Sequence, residues 1–145
     1  MSKRTPRMLI LIVLAVWVAG CSLLEVPPEA EAVVGQYFEA VRQHRTADAL
    51  ALYSDRFFEK TTREQWGAIL ERVPQKLGEL KSYQKTSWSI NRMATPSYPG
   101  TYSVIVYTVE YSKGQATETI TVYQPTGGGK ALIVSHNISS MLLLD

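Results

Sequence analysis

The chain has 145 residues, 15 basic and 13 acidic side chains, and a single cysteine, Cys21. That length holds one ordinary domain rather than two, and a lone thiol excludes an internal disulfide. Three of the basic side chains stand in the first seven residues, so the formal net charge of +2 does not amount to the basic patch that a nucleic-acid partner requires.

Lys3, Arg4 and Arg7 precede an uncharged stretch from Met8 to Ala19. This stretch is about a dozen residues, short of the roughly 17–25 that span a bilayer. A charged start, an apolar middle and small residues at the close are the three parts of a secretory leader. The run Val18-Ala19-Gly20-Cys21 closely resembles the lipobox of bacterial lipoproteins. The resemblance implies a signal peptide over residues 1–20, cleavage before Cys21, and acyl chains such as palmitate on the mature cysteine. Two or more chains make such an attachment stable, where one gives only marginal binding. Ser22 stands where an aspartate would favour retention in the inner membrane. The same resemblance therefore implies the outer membrane, with the domain facing the periplasm. Cleavage would leave 12 basic against 13 acidic side chains, because Lys3, Arg4 and Arg7 depart with the leader.

Residues 21–28 read as a short tether stiffened by Pro27 and Pro28, and residues 29–145 as the domain. Val33, Val34, Tyr37, Phe38 and Val41 recur at helical spacing, predicting a helix over about 29–44 with acids in its first turn and bases at its end. Thr46 is placed to cap a second, shorter helix running to about Tyr53. Ser54-Asp55-Arg56 breaks the pattern. A third helix starts at Thr61 or Thr62, each of which fits a capping box. Trp66, Ile69, Leu70, Val73 and Leu77 give its apolar face. Pro74 is expected to end or kink it near Val73, and Gly78 to close the segment after the proline.

From Lys81 the period changes to alternation. Strands are predicted over 82–91, 101–111, 116–124 and 131–137, joined by Tyr98-Pro99-Gly100, Ser112-Lys113-Gly114-Gln115 and the glycine-rich 125–129. The sum is three helices followed by a four-strand antiparallel meander, an α+β domain.

Helices first and then a long antiparallel sheet is the order of the cone-shaped α+β superfamily named for nuclear transport factor two. Arg63-Glu64-Gln65-Trp66, Leu77-Gly78-Glu79-Leu80 and Thr117-Glu118-Thr119-Ile120-Thr121-Val122 make residues 30–138 resemble a family of small, uncharacterised bacterial exported proteins. The resemblance implies a curved, cone-like sheet under the helices and brings no enzymatic mechanism, since such folds host enzymes and binding modules alike.

Cone-fold enzymes place an acid or base in an apolar cavity, where burial shifts its pKa toward working pH. His44 stands at a helix C-terminus and reads as exposed; His136 lies in the last strand. Asp48 and Asp55 flank the second helix and read as caps or turn formers. Glu110 and Glu118 read as solvated strand residues. Asp55 and His136 are therefore the weak candidates for a catalytic pair. No metal-ligand spacing occurs, and no cofactor is expected. Gly127-Gly128-Gly129-Lys130 lacks the spacing and the Ser or Thr of a phosphate loop. Trp66, Trp88, Tyr107, Tyr111 and Tyr123 are candidates for a pocket or partner surface as well as for the core. The apolar tail Met141-Leu142-Leu143-Leu144 could dock on the domain, enter the membrane interface or meet a partner.

The expected function is binding or structural support by a lipid-anchored envelope protein. Its partners would be the membrane through Cys21, an envelope protein or small apolar ligand at the sheet face or cone mouth, and a second copy in a homodimer. The rival is an enzyme of the polyketide cyclase or ketosteroid isomerase type. A third reading is an accessory subunit of an envelope assembly or secretion machine.

Overall fold

A computed structural model of the chain describes residues 25–144. The leader, the lipobox residues Val18, Ala19 and Gly20, and Cys21 itself lie outside the described residues. Helix α1 spans Pro28–Arg42 and buries Ala30, Val33, Val34, Tyr37, Phe38 and Ala40, the apolar stripe expected from the spacing. Pro28 opens the helix, because its fixed φ suits the first turn and its missing N–H would be unpaired there anyway. Val26 is buried in the core, so the core begins inside the segment read as tether.

Among the described residues four α-helices stand where three were expected: α1, then α2 at Thr46–Leu50, α3 at Asp55–Phe58 and α4 at Arg63–Leu77. The extra helix lies in the Ser54-Asp55-Arg56 break. The Ser54 side chain accepts a hydrogen bond from the Phe57 N–H, which caps a single turn. Thr46 is the first helical residue and not a cap; Arg45 holds the cap position without a side-chain bond. For α4 the choice falls on Thr62, which exchanges capping bonds with Gln65 in both directions. Pro74 does not stop α4, which runs on to Leu77. The Gly78 N–H bonds to the Pro74 carbonyl at 2.9 Å and holds the last turn closed. Gly78 has φ +83, and a Cβ there would lie 2.0 Å from Ser112 Oγ, so only glycine fits.

Strands β1 (Leu80–Met93), β2 (Gly100–Tyr111), β3 (Gly114–Pro125) and β4 (Leu132–Ser139) form one antiparallel sheet in sequence order. The domain is thus α+β, as expected. Alternation buries Ser103, Ile105, Tyr107, Val109 and Tyr111 of β2 together with Ala116, Glu118, Ile120 and Val122 of β3. The register sets Ile105 opposite Ile120 and Tyr107 opposite Glu118. The turn Ser112-Lys113 joins Tyr111 to its partner Gly114. Trp88 and Ile90 share a face, paired with Ile105 and Ser103, whereas Thr86 falls in the irregularity between Lys85 and Ser87.

Helix α1 runs antiparallel to β1. At its C-terminal end His44 Nε2 lies 3.1 Å from Glu79 Oε2, in its middle Phe38 stacks on Tyr83, and near its start Glu31 pairs with Lys85. The sheet therefore has two distinct ends. One carries the 112–113 turn; the other carries loop 94–99 and turn 126–131, and the start of α1 is directed toward it. After β4 a 3-10 turn, Met141–Leu143, docks at the first of these ends. Leu142 lies over Gly114, where a Cβ would come within 2.6 Å of its Cδ1, and Leu143 packs against the core.

The end of α1 is strained. His44 adopts φ 54, while its N–H bonds to Val41 O at 3.0 Å and the Arg45 N–H bonds to Ala40 O at 2.8 Å. A left-handed residue closing a helix in this way is usually glycine. His44→Gly is expected to raise the unfolding free energy by about 1 kcal/mol, relieving the left-handed strain. Urea denaturation checks it; a loss of stability would show that the exposed His44–Glu79 contact outweighs the strain.

Candidate functional site

The alternation of β3 places Glu118 in phase with Ala116, Ile120 and Val122, and so beneath the helices. Its side chain is completely buried. A buried carboxylate is costly unless donors surround it, and three elements supply them. Tyr37 of α1 donates to Oε2 at 3.2 Å. Tyr111 of β2 donates to Oε1 at 2.7 Å. Nε2 of His136, on β4, lies 3.0 Å from Oε2. The other ring nitrogen of His136, Nδ1, is 2.6 Å from the Tyr53 hydroxyl. Both nitrogens of His136 and both oxygens of Glu118 are thereby engaged.

Aromatic rings seal this network. Tyr37 meets the His136 ring edge-on at 5.0 Å, Tyr53 stacks parallel to it at 6.1 Å, and Trp66 closes a third side at 5.4 Å. Burial pushes the hydroxyls of Tyr37, Tyr53 and Tyr111 well above the ordinary tyrosine range, and the nearby Glu118 carboxylate adds to each rise. They therefore remain protonated donors. The Trp66 indole N–H offsets part of the rise at Tyr53. Its geometry falls short of a hydrogen bond, so it remains a buried, unpaired donor.

Sequence reasoning placed Glu118 in solvent, and the structure corrects that. The phase of the strand was the available signal: glutamate in step with Ala116, Ile120 and Val122 points inward. Asp55 and His136 do not meet. The Asp55 side chain is fully exposed and lies 3.3 Å from Arg63, whereas His136 takes Glu118 and Tyr53 as partners.

The five aromatics do not line one pocket either. Trp66 packs on Tyr53, Phe57 and His136. Tyr107 packs on Phe38 and Tyr83, where burial pushes its hydroxyl up to about 12. Tyr111 serves Glu118. Tyr123 pairs with Tyr102 and donates to the Pro99 carbonyl. Trp88 stays 43% exposed on β1, with the Lys85 ammonium over its ring.

Concave surface lies elsewhere. An open groove of about 370 Å³ runs between α1, α2 and α4, floored by Ala40, Val41, Ala49 and Leu70 and rimmed by His44, Arg45, Glu71 and Glu79. A second groove of about 290 Å³ is bordered by Phe57, Trp66, Ile69 and His136. His136 as a residue is 8% exposed while its side chain is not exposed at all, so it meets this groove through its backbone. Among the described residues no three His, Cys, Asp or Glu side chains converge to hold a metal, and no helix is long and apolar enough to cross a membrane.

Two outcomes are expected from this geometry. Unfolded tyrosines ionise near pH 10, whereas Tyr37, Tyr53 and Tyr111 hold their protons to higher pH when folded. Their contribution is thus full below pH 10 and falls above it, each adding a slope of about 1.4 kcal/mol per pH unit. Urea unfolding at stepped alkaline pH should show this, with a shallower fall in Tyr111→Phe. Separately, Tyr53→Phe strands His136 Nδ1 and should lower stability by about 1–3 kcal/mol, read by thermal denaturation; a neutral result would show that Nδ1 needs no partner.

Among solved structures, a candidate scytalone dehydratase from Novosphingobium aromaticivorans DSM 12444 is similar at 13% identity, covering 74% of this chain and 78% of that one, with a TM-score of 0.46. That likeness assigns neither activity nor substrate. No match is found among curated proteins. A family model matches residues 34–130, which include Tyr37, Tyr53, Tyr111 and Glu118 of the buried network and stop before His136. The match spans well over half of the chain, which therefore belongs to the family described as "protein of unknown function (DUF4019)".

Proposed function

We propose that this is a lipid-anchored bacterial envelope protein, held at the outer membrane through Cys21, whose cone-like α+β domain binds or supports a partner and does not turn over a substrate. The observation that carries the non-catalytic part is the closure of the Glu118–His136 network. Both side chains are without solvent exposure, and their polar atoms are matched by one another and by three tyrosines. A general acid or base must come within hydrogen-bond reach of a substrate proton. Here those positions are filled by protein. Such a network serves to fix a unique packing.

The anchoring part is supported by the charged start, the uncharged stretch and the Val18-Ala19-Gly20-Cys21 run. The surfaces offered to an envelope partner or a second copy are the groove between α1, α2 and α4 and the outer sheet face, where Val104, Val106, Thr119 and Thr121 are half-buried. The rival cyclase- or isomerase-like reading draws on the groove beside Phe57, Trp66 and His136, which would have to open to the imidazole.

Two measurements test the proposal. In a producing bacterium, labelled palmitate should enter the protein and be lost in Cys21→Ser; a wild-type protein that takes up no label and appears free in the periplasm ends the anchoring claim. Diethyl pyrocarbonate on the native protein, followed by mass spectrometry, should modify His44 and spare His136. Rapid modification of His136 would favour the enzyme.

A further inference from the structure

Among the described residues the exposed large apolar side chains fall mainly in two groups: Met141, Leu142 and Leu144 after β4, and a second group that has basic side chains beside it. Trp88, Met93 and Tyr98, at 43%, 48% and 44% exposure, all lie along the second half of β1 and the loop after it. Turn 126–131 lies beside them, with the Thr126 N–H donating to the Pro99 carbonyl at 3.0 Å. Basic side chains accompany these apolar ones. Arg92 and Lys130 are exposed. Arg56 reaches across from α3, its guanidinium 4.0 Å over the Tyr98 ring and donating to the Tyr102 hydroxyl at 2.9 Å. Neither Asp nor Glu occurs from Thr86 to Val109 or from Thr119 to Leu144. Of the two acids on or next to α3, Asp55 and Glu59, the first is paired with Arg63.

Helix α1 begins toward this same end. It starts beside the middle of β1, where Glu31 pairs with Lys85, and its N-terminus points toward the end of the sheet that carries loop 94–99. Between Glu25, the first described residue, and Cys21 the chain can extend by at most roughly 14 Å. Strand β1 runs on from Trp88 to Met93, a further rise of roughly 16 Å. An anchor at Cys21 would therefore hold the bilayer close to the start of α1, with a reach comparable to the rise of the hairpin end. At the opposite end Leu142 lies against Gly114 and Leu143 packs on the core, while Met141 and Leu144 stay exposed with no Lys or Arg between Lys130 and the end of the sequence.

We propose that the β1–β2 hairpin end, with turn 126–130 beside it, is a membrane-docking surface that rests on an anionic phospholipid bilayer. Trp88, Met93 and Tyr98 enter the headgroup region, where amphipathic aromatics are favoured, and Arg56, Arg92 and Lys130 face lipid phosphates. The groove between α1, α2 and α4, whose rim includes His44, Arg45 and Glu79, is thereby turned away from the membrane and toward partners. This orientation rests on the Cys21 anchor proposed above.

Trp88 is a built-in probe. Besides Trp17 in the leader, the only other tryptophan is Trp66, which is buried. The test uses the full-length Trp17→Phe protein, extracted from producing cells and reconstituted into phosphatidylethanolamine–phosphatidylglycerol vesicles with or without brominated acyl chains. Flotation reads the anchor, and bromine quenching reads the orientation. The expected result is a protein that floats and loses its Trp88 emission in brominated vesicles. That loss should be absent in Trp88→Phe and relieved by Met93→Asp with Tyr98→Asp while the protein still floats. Flotation with equal emission in both vesicle types overturns the docking surface and leaves the anchor standing. Failure to float removes the anchor, and the orientation falls with it.

Discussion

A carboxylate without water must be surrounded by donors, and the fold is arranged to meet that demand at Glu118. Its oxygens accept from Tyr37 on α1 and Tyr111 on β2 and lie beside His136 on β4. The charge itself sits on β3. One side chain therefore ties the first helix to three adjacent strands. Tyr53, from the segment between α2 and α3, extends the tie through His136 Nδ1. Apolar contacts such as Phe38 on Tyr83 tolerate small slides, because dispersion has little direction. Hydrogen bonds to a buried charge do not, since a displaced donor leaves it unpaired. The network thus fixes where α1 sits along the sheet, and with it where the chain before α1 departs.

This constraint also separates two regions of the molecule. The interior beneath the helices is occupied by protein groups, and there Glu118, His136 and the three tyrosines satisfy one another. The outside carries the grooves, the uncovered sheet face and the hairpin end with Trp88, Met93 and Tyr98. The titratable centre thus lies inside, tied to its protein partners, while the open surfaces lie elsewhere.

Much of this was legible in the sequence, and the misses have physical causes. The stripe Val33, Val34, Tyr37, Phe38 and the alternation of 101–111 identified helix α1 and strand β2, because burial imposes periods of 3.6 and 2. The α3 turn was missed because one turn has no period to detect; its signal was Ser54, whose side chain caps the Phe57 N–H. Pro74 was over-read, since a proline in a final turn forfeits little when Gly78 closes the helix behind it. Glu118 was misplaced because charge was weighed before phase, although the strand's own alternation set it inside. The partnership of His136 with Glu118 rests on the β3–β4 register, which sets Ile120 opposite His136 and Glu118 opposite Ile138. No single-strand pattern supplies that register.

The most direct measurement is a double-mutant cycle joining Glu118→Gln and Tyr111→Phe, read as unfolding free energies in urea. If the carboxylate and its donors act as one buried unit, the two losses will fail to add, with a coupling of about 1–3 kcal/mol. Losses that add to within about 0.5 kcal/mol would show that the two groups stabilise the fold independently, and would contradict the account.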